Sequence, residues 1–118
     1  MFDAYLPSLR HALELLPSQD LKRSNVYIDS RIYPAGALVT IGRQTVTAPE
    51  ESLLLFVDLV PTANWGHPCK YFLISTMDGN IQSFDSQFPP PREGLRILKR
   101  ADNAAEWALL TKASIDMI

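Results

Sequence analysis

A chain of 118 residues with one cysteine is long enough to bury a core without disulfides or a structural metal, and its length fits a single α+β domain. A formal net charge of −2 argues against a dedicated nucleic-acid binder, whose affinity would lean on a basic face. A lone thiol forms no internal disulfide, and Asp3, Pro7 and Arg10 interrupt any apolar leader, so a cytoplasmic protein without a membrane segment is expected.

Asp3 to Leu16 reads as a helix. Leu6, Leu9, Leu13 and Leu16 recur at the three- and four-residue spacing of one face, with Arg10 and Glu14 paired on another. Asp3 or Ser8 would cap it, and Pro17 ends it. The polar face lacks the basic excess of a membrane-surface helix, so the leucines should pack on a sheet, with His11 in water. Ser18 to Ser24 is polar and charged, and a loop is expected there.

Strands follow. Val26-Tyr27-Ile28 opens one, Asp29-Ser30-Arg31 interrupts it, and Ile32-Tyr33 resumes before the turn signal Pro34-Ala35-Gly36. Ala37–Ile41 and Gln44–Thr47, joined at Gly42-Arg43, suit a hairpin. Asp29, Arg31 and Arg43 read as solvated charges unless the fold turns one toward Asp58.

The run from Leu53 through Val57 continues to Leu59 and Val60 and is bounded by Pro49 and Pro61. It is too short to span a bilayer and reads as a strand buried on both faces. Asp58 is its anomaly. A carboxylate among apolar neighbours must be paired, hydrogen-bonded or protonated. That makes it a candidate site residue, against the simpler expectation of an acid that meets water or an arginine at the strand end.

The loop after Pro61 carries Trp65, His67 and Cys69. Two residues apart in extended chain, His67 and Cys69 point to one side. An imidazolium there would lower the thiol pKa. The plainer alternative is a packed turn with Cys69 as a small buried hydrophobe. One cysteine and two histidines supply no zinc-ligand spacing, so neither a metal nor a cofactor is expected.

Lys70–Thr76 and Ile81–Asp85 flank Asp78-Gly79, a hairpin signal. A three-residue loop with Gly79 left-handed is favoured, placing Phe72 opposite Phe84. Pro89-Pro90-Pro91 should be extended chain. Arg92, Arg96, Lys99 and Arg100 form the only basic cluster. It suits contact with phosphate or an acidic partner, or, more simply, a charge-protected edge strand. A last helix from about Ala104 to Lys112 would present Trp107 and Leu110, residues suited to a subunit contact.

Helix, antiparallel strands and a short C-terminal helix make an α+β layer fold. The expected form is an N-terminal helix packed on a curved antiparallel sheet of about four to six strands, in the manner of cystatin-like or NTF2-like rolls by analogy of element order. Two functional expectations follow. The first is a non-enzymatic binding module that self-associates or takes a protein partner, with Trp107, Leu110, Arg96 and Arg100 at the contact. The alternative is a small-molecule binder or enzyme whose helix–sheet pocket holds Asp58, Trp65, His67, Cys69 and Tyr71.

Overall fold

The computed structural model describes residues 5–61, 67–91 and 93–101, except for the side chain of Leu6. Asp3, Trp65, Arg92 and the expected C-terminal helix with Trp107 and Leu110 lie outside the described residues. Two helices and seven strands follow in chain order: α1 (Leu6–Glu14), α2 (Ser18–Arg23), β1 (Asn25–Asp29), β2 (Leu38–Ile41), β3 (Gln44–Thr47), β4 (Ser52–Asp58), β5 (Cys69–Ser75), β6 (Ile81–Ser86) and β7 (Leu95–Lys99). The fold is α+β. Five strands form an antiparallel sheet in the order β6-β5-β4-β1-β7, and β2 and β3 form a separate hairpin.

The sheet is the middle of three layers, because β4 is buried along its whole length. Alternation sends Leu53, Leu55 and Val57 to one face, where they meet Val26, Ile28, Phe72, Ile74, the α1 residues Leu9, Ala12 and Leu13, and Leu16 just beyond α1. Each fully buried leucine there contributes about 1.5–3 kcal/mol. On the other face Leu54, Phe56, Cys69, Tyr71 and Leu73 pack beneath the hairpin residues Val39 and Ile41 and beneath Ala48. The register lines Tyr27, Phe56, Tyr71 and Phe84 across four strands of that face. Ring centroids lie 5.9 Å apart for Tyr27–Phe56 and 5.1 Å for Phe56–Tyr71. Apolar layers on both faces of β4 explain why its sequence reads as an unbroken apolar run.

The chain between β6 and β7 is a strap. These outer strands run in the same direction, about 19 Å apart at ~4.8 Å per strand spacing. The link between them, described at residues 87–91 and 93–94, must cross that width and return the length of a strand, which calls for extended chain of ~3.3 Å per residue. Pro89-Pro90-Pro91 keep it extended. The strap crosses the hairpin face: Tyr71 donates its hydroxyl to the Phe88 carbonyl at 2.6 Å, and the Arg43 guanidinium lies 4.0 Å from the centre of the Phe88 ring. Gly42, at φ 63°, closes the β2–β3 turn against this strap, where a Cβ would collide with Ser86 Oγ.

Several expectations need correction. The first helix begins at Leu6, on Tyr5, with no side-chain cap from Ser8. Ser18–Arg23 is a short helix, not a loop. It has no apolar periodicity to betray it, but Asp20 in its first turn and Lys22 and Arg23 in its last suit the helix dipole. Ile32-Tyr33 does not resume a strand, and only a single Tyr33–Ser52 bridge forms. The β5–β6 turn has four residues, Thr76 to Gly79, inside the bonded pair Ser75–Asn80, so Phe72 faces Ser83 and Tyr71 faces Phe84. The cause is Ser75. Its hydroxyl accepts from the Met77 and Asp78 amides, while Gly79 at φ 73° donates to the Ser75 carbonyl. The second sheet face, which a helix-wrapped roll would leave uncovered, carries the hairpin and strap instead. No described helix is long and apolar enough to cross a membrane.

Candidate functional site

Asp58 is the last residue of β4 and shares the hairpin face with Leu54 and Phe56. Cys69, the first residue of β5, stands directly opposite it. His67 continues the chain just ahead of β5, its amide bound to the Gln87 carbonyl at 3.0 Å. The imidazole folds back to place Nε2 2.7 Å from Asp58 Oδ1. Both residues are buried, at 7 % and 8 % exposure. An ionised carboxylate only accepts, so Nε2 carries the proton in this bond. Asp58 Oδ1 also accepts from the Val60 amide at 3.1 Å, which turns the chain out of β4.

The structure therefore brings Asp58, His67, Cys69 and Tyr71 to one end of one sheet face. That face is the one opposite α1, so the group does not line a helix–sheet pocket. The adjoining concavity, about 330 Å³, is bordered by Leu59, Pro68, Cys69, Asp85, Ser86 and Gln87.

The thiol follows the plainer alternative, a small buried side chain. Burial, and then the Asp58 carboxylate, push the Cys69 pKa up to about 11. Sγ donates to the Ser86 carbonyl at 3.4 Å. His67 spends Nε2 on Asp58, so no imidazolium–thiolate pair forms through that atom. Asp58 orienting His67 is the supporting half of a general-base arrangement, but Cys69 is not its nucleophile. Tyr71 is likewise structural. Burial raises its phenol pKa well above the ordinary value, and its proton is committed to Phe88.

A second polar cluster was not visible as such. Asp29, 2 % exposed, accepts from the Arg31 amide at 2.9 Å, from Arg31 Nε and Nη2 at 3.1 and 2.8 Å, and from the Tyr33 hydroxyl at 2.7 Å. Burial alone would raise its pKa, but these bonds outweigh burial and hold it below the usual carboxylate range. Burial and then Asp29 push Tyr33 up to about 12. Asp29, Arg31 and Tyr33 recur every second residue, which in extended chain is one side. That spacing was the available signal. A small cavity of about 120 Å³ adjoins them under Leu38, Pro90 and Pro91.

Lys99 leaves the basic cluster, while Arg96 on edge strand β7 and Arg100 stay exposed. Lys99 is 1 % exposed. Its Nζ donates to the carbonyls of Lys22, Ser24 and Arg100 at 3.3, 3.0 and 3.0 Å. All three ammonium protons are thereby used, binding β7 to the end of α2 and the start of β1. Among the described residues, no buried side-chain nitrogen or oxygen lacks a hydrogen-bond partner, and no cluster of three His, Cys, Asp or Glu has the arrangement of a metal site. No family model, curated protein or solved structure matches this chain.

Proposed function

We propose that this chain is a non-enzymatic binding module that self-associates. The observation that supports it most is the open edge of the central sheet. β6 pairs with β5 on one side, and among the described residues no strand pairs with its other side. A regular edge strand presents rows of N–H and C=O groups that another strand can bind. The polar clusters favour the same view: the Cys69 thiol, Asp29 and Lys99 are each held in bonds that stabilise the fold. A buried, protonated lone thiol also suits a reducing compartment, and we place the chain in the cytoplasm.

A second function, small-ligand binding, draws support from the Asp58–His67 pair beside the 330 Å³ concavity. A native mass spectrum of the full chain, purified from its expression host, separates the two. A dimer without adduct supports the self-associating module. A monomer carrying a defined adduct supports the ligand site and counts against the module.

A further inference from the structure

We infer that the partner strand for β6 is β6 of a second copy, paired antiparallel about a two-fold axis at Ser83. This rests on the self-association proposed above and assigns it a surface and a register. The backbone phase of β6 fixes which groups face outward. The Ser75 amide donates to the Asn80 carbonyl, and the Thr76 amide donates across the other side of β5 to Glu51. Bonded pairs alternate along antiparallel strands. Gln82, Phe84 and Ser86 therefore turn their backbone groups toward β5, and Ile81, Ser83 and Asp85 turn theirs outward.

A self-paired strand has its axis at one of these three outward residues or at Gln82 or Phe84 between them. An axis at Gln82 or Phe84 leaves one of the three outward residues of each β6 without a partner inside β6, so the choice falls among the outward residues themselves. An axis at Asp85 sets Asp85 against its own copy, a repulsive like-charge pair. It also leaves little of the strand overlapped. An axis at Ile81 runs β6 into the partner's turn. Only the axis at Ser83 pairs Ile81 through Asp85 with Asp85 through Ile81. Ser83 then meets Ser83, and each Asp85, already 3.3 Å from Lys70 of its own chain, meets an isoleucine. The two five-stranded sheets merge into one, with both α1 helices on the same side.

The opposite edge is guarded. β7 is irregular in its pairing with β1 between Val26 and Tyr27, the mark of a bulge, and carries exposed Arg96. The strands of the hairpin have only four residues each. β6 has six residues, a regular register and no proline.

The test uses the full chain and two variants. Ser83→Pro deletes an outward N–H and leaves the β5–β6 ladder intact, since proline is tolerated at such edge positions. Ser83→Cys places two thiols across the axis at a Cα separation of about 5.5 Å, within disulfide range, while Cys69 stays buried. Sedimentation should show a wild-type dimer and a folded Ser83→Pro chain whose dimer dissociates at least a hundredfold more readily. Ser83→Cys should oxidise to a covalent dimer. A wild-type dimer that persists in Ser83→Pro, with Ser83→Cys failing to cross-link, overturns the β6 register and leaves self-association standing. A monomeric wild type overturns both. If Ser83→Pro fails to fold, cross-linking of Ser83→Cys decides.

Discussion

Alkylation of Cys69 separates a structural thiol from a nucleophile. Its pKa lies at about 11 against an ordinary 9.0, because burial and the Asp58 carboxylate oppose the thiolate. Two pKa units reduce the thiolate about a hundredfold at any pH well below 9. At 2 % exposure the sulfur is also shielded from reagent, so a hundredfold is the lower bound. The assay is the rate of iodoacetamide modification from pH 7 to 10.5, on the native chain and on the same chain in denaturant. The native rate at pH 8 should be at least about a hundredfold lower, with no inflection below pH 10. A native rate within tenfold of the unfolded one, or an inflection at or below pH 8, would refute the account and restore a His67-activated thiolate.

The same shift makes stability depend on alkaline pH. The unfolded thiol loses its proton near pH 9, while the folded one holds it to about 11. Between those values the folded state binds more protons, so stability is intact below pH 9 and declines as pH rises toward 11. The loss is on the order of 2 kcal/mol, and urea midpoints of wild type and Cys69→Ala should converge across that window.

Lys99→Met strands three inward carbonyls and should cost about 3–5 kcal/mol, read from denaturant unfolding, whereas Arg96→Met should stay within about 0.5 kcal/mol of wild type. Asp29 should make the fold acid-sensitive. Its pKa is depressed in the folded state, so its contribution is present above the unfolded value near 3.9 and is lost as pH falls below it. Asp29→Asn should lower the melting temperature at pH 7 and flatten the acid limb of a thermal-stability profile. An acid limb unchanged by the substitution would contradict that assignment.

The sheet was legible because its signals were local. The apolar run of β4, the aromatic and β-branched β5, and the turns at Gly36, Gly42 and Gly79 each announce themselves within a few residues. The three-layer arrangement was not, because alternation shows that β4 is buried on both faces without saying what covers them. The hairpin register failed for a comparable reason. Asp78-Gly79 marks the turn, but Ser75, outside that dipeptide, sets its length through hydrogen bonds to Met77 and Asp78.

At the candidate site, Asp58 stood out as a charge in an apolar run, and its meeting with His67 follows from the strand pairing that sets Asp58 opposite Cys69. The burial of Cys69 matches the plainer reading of the sequence, a small buried hydrophobe. Adjacency suggested an imidazolium partner, whereas the fold commits Nε2 to the carboxylate and leaves the thiol beside a negative charge. Lys99 is different. It read as one charge of a basic cluster, whereas the carbonyls of Lys22, Ser24 and Arg100 make burial of its ammonium tolerable.

Amide hydrogen exchange along β6, followed as a function of protein concentration, reads the self-associating edge residue by residue. Gln82 and Phe84, bonded to β5, should be protected at every concentration. Ile81, Ser83 and Asp85 should exchange freely in dilute protein and become protected together as concentration rises. Free exchange of those three amides at all concentrations would contradict self-association through this edge.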